Sequence, residues 1–232
     1  MTTYLFDEPK TQSIPVKGEA AEYPITRIFC VGRNYAAHAA EMGVEVDREA
    51  PFYFTKNPQT YLATGATLSY PPGTENFHYE MELTLVIGKP VFRASVSEAK
   101  DAIYAYGCSL DMTRRDLQLV ARSKQRPWDL GKDVEGSAVF SPLTKAAEVG
   151  EVGPQRIWLT VNGETKQDAH LSDLIHNVAE IVADLSKYYH LAPGDVIMTG
   201  TPAGVGPVVA GDVIEGGIDG LDGIALTIGA AE

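Results

Sequence analysis

His78-Tyr79-Glu80-Met81-Glu82-Leu83-Thr84-Leu85-Val86-Ile87 is the stretch on which the fold turns. Its second half is a run of apolar and β-branched residues that stops at Gly88, so residues 79–87 are expected as a strand. Strand side chains alternate, which puts Glu80 and Glu82 on one face and Met81 on the other. Adjacent carboxylates repel unless something positive lies between them. A hard divalent cation that prefers oxygen ligands fits that place. The pair fits equally the solvated outer face of an edge strand, and these residues alone leave both readings open.

Working outward, residues 25–31 read as a strand ending at Gly32, and 35–42 as a short helix with Asn34 as N-cap and Gly43 as its stop. Residues 51–56 form a short aromatic strand. On the other side, Ser97 opens a helix over 97–106, followed by a strand to Met112 and a polar helix over 113–122. Asn162-Gly163, placed after Ile157-Trp158-Leu159-Thr160-Val161, predicts a hairpin with a type I′ turn. Across 172–189 the residues Leu174, Ile175, Val178, Ile181, Val182 and Leu185 recur at helical spacing. The glycine-rich tail from Asp195 reads as short strands joined by tight turns. Strands with helices interspersed irregularly, without a repeating βαβ alternation, predict a mixed α/β fold dominated by sheet. The polar first 24 residues are expected as an N-terminal extension to a single main domain over 25–232.

Several residues on this frame can carry chemistry. Asp111, at the end of its strand, is either a cap for the following helix or a third carboxylate beside Glu80 and Glu82. His38 and Glu41 are three apart on a helix, hence on one face, where the carboxylate can orient the imidazole as a general base for water. The same spacing also describes an ordinary surface pair. Lys132 follows Trp128-Asp129-Leu130-Gly131, and is either an oriented cation near an anionic site or a solvated loop lysine. Gly200-Thr201-Pro202-Ala203-Gly204-Val205-Gly206 lacks the ending of a nucleotide P-loop and the dinucleotide fingerprint. Its backbone N–H groups can still face a carboxylate.

A formal net charge of -12 speaks against a partner that presents phosphate backbones or an anionic membrane surface. An anionic substrate would therefore need a local positive feature. Cys30 and Cys108 sit in apolar contexts and read as buried reduced thiols, not a disulfide framework or a nucleophile. Residues 1–10 lack a basic-then-apolar leader, and the longest apolar stretches fall short of the roughly 20 residues a spanning helix needs. A cytoplasmic location is expected.

Taken in order, the markers are Val31-Gly32-Arg33-Asn34-Tyr35 with His38 and Glu41, Glu80-x-Glu82, Asp111-Met112-Thr113-Arg114-Arg115-Asp116, Pro127-Trp128 with Lys132, and the loop from Gly200 to Gly206. On these the chain resembles the fumarylacetoacetate hydrolase family over about residues 25–229, nearest the members acting on fumarylpyruvate and other acylpyruvates. The resemblance implies a β-roll fold, a homodimer and an open site for Mg²⁺ or Mn²⁺, sometimes Ca²⁺. It places Glu80, Glu82 and Asp111 as metal ligands, His38 and Glu41 as the water-activating dyad, and Lys132 as the catalytic lysine. Arg33, Lys56, Arg115, Gln118 and Thr201 fall at substrate-contacting positions. The implied reaction, a step of aromatic catabolism, is hydrolysis of the C3–C4 bond of a 2,4-diketo acid, fumarylpyruvate giving fumarate and pyruvate. In it His38 activates water at C4, and Lys132 and Gln118 face the oxyanion. The same site type can also decarboxylate oxaloacetate, or isomerise and hydrate dienoic diacids. A non-catalytic metal-binding scaffold would have no need of His38, Glu41 and Lys132 together.

Overall fold

The computed structural model describes residues 5–7, 10–43 and 50–231. Of the N-terminal extension, residues 1–4 and 8–9 lie outside the described residues. The architecture is the expected sheet-dominated α/β mixture. Its main sheet has eight strands, seven of them in the order Phe52–Lys56, Arg27–Gly32, Asp195–Met198, Met81–Ile87, Ile103–Asp111, Ala138–Phe140, Tyr61–Ala63. The eighth, Thr144–Lys145, pairs with the start of Ile103–Asp111. Met81–Ile87 is central and wholly buried, antiparallel to Asp195–Met198 on one side and to Ile103–Asp111 on the other. That position removes the edge-strand reading of the Glu80/Glu82 pair.

Alternation along the central strand divides the core into two layers. Met81, Leu83, Leu85 and Ile87 join a large cluster with Ile157, Leu159, Ile214 and Leu226. Those partners belong to a second, five-stranded sheet ordered Glu164–His170, Arg156–Val161, Val213–Ile218, Ile224–Ala231, Thr67–Tyr70. Val86 lies on the opposite face, with Ile28, Cys30, Ala105, Val196 and Met198. The hairpin of Ser13–Pro15 and Glu22–Pro24 closes that layer by burying Ile14 and Tyr23. Glu82 and Thr84 share this second face, so its polar end lies at the same end of the strand as Glu80. Both cysteines are free and buried, as their apolar contexts predict.

Several boundaries differ from the sequence reading. The strand expected over 79–87 is broken at Glu80: Phe77–Tyr79 leaves the main sheet to pair with Thr113–Arg114 and Gly206–Val208. The helix expected over 97–106 is Val96–Ala102, capped by Ser95 in a reciprocal box with Glu98. Residues 103–106 are strand, because Ile103 and Ala105 pair with Ile87 and Val86. The helix expected over 172–189 shortens to Val178–Leu185, since Asn177 caps it in a box with Glu180 and Leu174 bridges to Tyr35. Arg115–Ser123 starts two residues later than expected, after the short strand Thr113–Arg114. The Asn162-Gly163 turn has φ of 52° and 80°, the left-handed pair a type I′ turn requires. Among the described residues no helix is long and apolar enough to cross a membrane.

Candidate active site

The break at Glu80 builds the site. Glu80 stands just before the central strand, Glu82 inside it, and Asp111 at the end of the neighbouring strand, where its backbone N–H donates to Glu80 O at 2.9 Å. All three are buried, and one carboxylate oxygen from each lies within 4.8 Å of the other two. Asp111 is thus a member of the carboxylate group and does not cap the helix that begins at Arg115.

The charges around this trio are arranged in tight pairs. Lys132 Nζ sits 2.7 Å from Glu80 Oε2 and 2.7 Å from Asp111 Oδ2. Arg115 donates to Glu80 Oε1 and to Gln118 Oε1. Burial opposes ionisation of Glu80, but the charges of Lys132, Arg115 and His38 outweigh it and hold this carboxyl well below the usual range. Glu82 behaves in the opposite way: burial, then the Asp111 and Glu80 carboxylates, push it well above that range. Burial likewise works against the Lys132 ammonium, and Asp111 and Glu80 more than restore it. Asp111 Oδ1 receives no hydrogen bond, although Lys56 Nζ is 2.9 Å away. An all-oxygen trio with an unused lone pair and mutual repulsion is a donor set that suits a hard divalent cation.

Facing the trio is the helix Ala36–Glu41. His38 Nδ1 lies 3.1 Å from Glu41 Oε2, which makes Nδ1 the donor nitrogen and leaves Nε2 as the base. Gly43, with φ of 65°, ends this segment as expected. Asn34, expected as the cap of this helix, does not cap it; Tyr35 precedes the helix with no side-chain cap. The Asn34 amide instead donates to His176 O at 3.0 Å and Thr199 O at 2.9 Å, fastening the helix entry to the end of strand Asp195–Met198.

The glycine-rich loop meets carboxylates, as its sequence allows, but they are the protein's own. Gly200 N–H donates to Glu82 Oε2 at 2.7 Å, and Gly204 N–H to Glu41 Oε1 at 3.1 Å. Gly200 has φ of 97°, and a Cβ there would come 2.9 Å from Asn34 Cβ and 3.1 Å from Val31 O, so only glycine fits the approach. Thr201, in the same loop, accepts from Gln167 Nε2 at 2.8 Å.

Glu80, Glu82, His38, Lys132, Arg115, Gln118, Thr201 and Arg33 all line one cavity, with Val31, Phe54, Met42, Arg122 and Trp128 completing its wall. The structure does not bring Lys56 to it. Lys56 is 2% exposed, and its ammonium donates to Met112 O, Lys132 O and Ser137 Oγ. Its place is behind Asp111, with its ammonium 2.9 Å from Asp111 Oδ1.

Gln167 was not foreseen. It is wholly buried, accepts from Met81 N–H at 3.0 Å and donates to Thr201 Oγ1 and Pro202 O, so it ties the carboxylate strand to the glycine loop. The available signal was its hairpin register: it pairs with Leu159, a core residue, and direct partners in an antiparallel pair share a face.

Gly131 lies in the short helix Asp129–Lys132, against Gln118. A Cβ there would stand 2.8 Å from Gln118 Cβ and 2.9 Å from its Cα and N, and backbone cannot yield as a side-chain tip can. Gly131→Ala is therefore expected to separate Gln118 from Lys132, costing about 1–3 kcal/mol by overpacking. Urea unfolding and kcat/KM together check this; a variant with native midpoint and native rate would show that the two helices tolerate the shift.

Residues 27–229 match the family described as fumarylacetoacetate (FAA) hydrolase C-terminal. The fumarylpyruvate hydrolase of a Ralstonia sp. is 58% identical over 193 residues, covering 82% of this chain and 100% of that protein. A mitochondrial oxaloacetate tautomerase of Homo sapiens is 39% identical over 209 residues, covering 87% and 94%. The crystal structure of fumarylpyruvate hydrolase from Pseudomonas aeruginosa in complex with Mn²⁺ and pyruvate superposes with a TM-score of 0.95 at 41% identity, covering 98% of this chain and 100% of that one. With its sequence matched from residue 27 to residue 229 and its fold shared almost end to end, this chain belongs to the fumarylacetoacetate hydrolase family.

Proposed function

We propose that this chain hydrolyses the C3–C4 bond of an acylpyruvate, fumarylpyruvate foremost, with Mg²⁺ or Mn²⁺ held by Glu80, Glu82 and Asp111. The observation that carries the reading is one cavity lined by Glu80 and Glu82, which form a buried carboxylate trio with Asp111, and by His38, whose ring is oriented by Glu41. The names of the Ralstonia and Pseudomonas relatives support the substrate. When bound, the cation supplies Lewis acidity toward the carboxylate and 2-oxo oxygens of the pyruvyl group.

His38, with Nδ1 tied to Glu41, takes a proton at Nε2 from a water adding to C4. Gln118, whose carboxamide oxygen is occupied by Arg115, has its NH₂ left to donate, and with the Lys132 ammonium it faces the oxyanion at C4. As the C3–C4 bond breaks, its electron pair passes to C3, giving the enolate of pyruvate, and C4 leaves as the carboxyl group of fumarate. The imidazolium formed at His38 is a nearby proton source for C3. Val31, Phe54 and Trp128 make the wall around these groups largely apolar, which strengthens each of these charge contacts.

Purified protein with Mn²⁺ is expected to release pyruvate and fumarate in equal amounts from fumarylpyruvate, and nothing in chelator. Oxaloacetate belongs in the same assay, because several relatives are named for it. Turnover of oxaloacetate alone would move the assignment there, and turnover of neither would sink the hydrolase reading.

A further inference from the structure

The cavity holds more positive charge than its carboxylates use. Arg115 and Lys132 are spent on Glu80 and Asp111. Arg33 and Arg122 also line the cavity, and among the described residues neither forms an ion pair with a carboxylate; Arg122 donates only to Met42 O at 3.3 Å. Both are half-buried, whereas the carboxylates, Arg115, Gln118 and Lys132 on the floor are buried. Arg33, Arg122, Phe54 and Trp128 line the outer groove as well as the inner cavity, which places them at its mouth.

Two further features mark Arg33. Its backbone sits at φ of 60°, a left-handed conformation that glycine or asparagine adopts at less cost. Its guanidinium lies 5.6 Å from the centre of the Phe52 ring and 6.0 Å from that of Trp128, so aromatic faces hold it in place. Burial, and then the charge of Arg122, hold the Arg33 guanidinium below its ordinary value, as expected for two cations kept near each other. In a chain of net charge -12, such a pair is the local attraction an anionic substrate requires.

We propose that Arg33 and Arg122 form a clamp for the carboxylate at the far end of the acyl group, so that this chain selects dicarboxylic acylpyruvates over those with a neutral acyl tail. Phe54 and Trp128 stand beside the two arginines at the mouth, and Val31 also lines the inner cavity, so apolar side chains accompany the charges along which an unsaturated linker would lie. The inference rests on the hydrolase reading for its kinetic test, but not for its binding test.

For kinetics, the Mn²⁺-loaded protein and its Arg33→Gln, Arg122→Gln and Arg33→Lys variants are compared on fumarylpyruvate and acetylpyruvate. Loss of one charge-assisted hydrogen bond predicts that the ratio of the two kcat/KM values falls about tenfold to a hundredfold in either Gln variant, mostly through KM. Arg33→Lys, which keeps the charge, recovers part of it. For binding, calorimetry compares fumarate with crotonate, which lacks the second carboxylate. The native protein is expected to prefer fumarate, and each Gln variant to lose that preference. Equal kcat/KM losses on both substrates, or equal affinity of the native protein for fumarate and crotonate, would overturn the clamp. If the protein turns over neither ketoacid yet prefers fumarate through these arginines, the hydrolase reading fails and the clamp stands.

Discussion

His38→Ala is expected to lower kcat on fumarylpyruvate by about 10²–10⁴-fold, the usual contribution of a positioned general base, while Mn²⁺ binding is retained. The separation follows from geometry. The His38 imidazole is bonded to Glu41, which is anchored on Gly204 N–H, and the carboxylate trio stands on different elements of the fold. Removing the ring takes away the base and leaves the trio, Lys132 and Arg115 in place. Steady-state rates with a thermal scan in Mn²⁺ check both halves. A variant as fast as the native protein would show that water is activated elsewhere. Any decarboxylation of oxaloacetate, which needs no activated water, should survive the change far better than hydrolysis.

The second large effect concerns the trio itself. A cation that binds only the folded protein stabilises it by about 2.7 kcal/mol at a hundred times its Kd, which for a chain of this size raises Tm by about 5–10 °C. Glu82→Gln is expected to abolish that rise. The carboxamide keeps an oxygen for Gly200 N–H and nearly the same volume, so packing is preserved. Burial and the neighbouring Asp111 and Glu80 carboxylates favour the uncharged form of Glu82 in the absence of a cation, and the carboxamide reproduces that form, so the cation-free variant should melt no lower than the native protein. A purely structural Glu82 would give the reverse: a lower melting point without cation and an undiminished rise with it.

Much of this site was legible because its residues act through short spacings. Glu80 and Glu82 need only strand alternation to converge, and His38 and Glu41 need only one helical turn. What was hidden is what long-range contacts decide. Ile103-Tyr104-Ala105-Tyr106 is as good a helix end as a strand start, and its pairing with the central strand settles it. Asn34 looks like a cap, but its amide finds two carbonyls, of His176 and Thr199, far along the chain. Lys56 carries a charge that sequence reading directs toward a substrate; burial behind Asp111 turns it to the scaffold. Gln167 belongs to no motif, and only the hairpin register turns it inward. Local periodicity reports which side chains share a face, and it is silent on which distant backbone groups claim a polar tip.

The loop that begins at Gly200 has a consequence for how such an enzyme can diversify. Its two amides fix a ligand of the proposed cation and the partner of the proposed base to one short piece of main chain. Cation affinity and base alignment are therefore mechanically linked, and a displacement that tunes one detunes the other. The mouth is built from side chains on separate segments, Arg33, Phe54, Arg122 and Trp128, none of them on that loop. New substrates are reached by exchanging residues there, while the reaction centre is inherited as a single block.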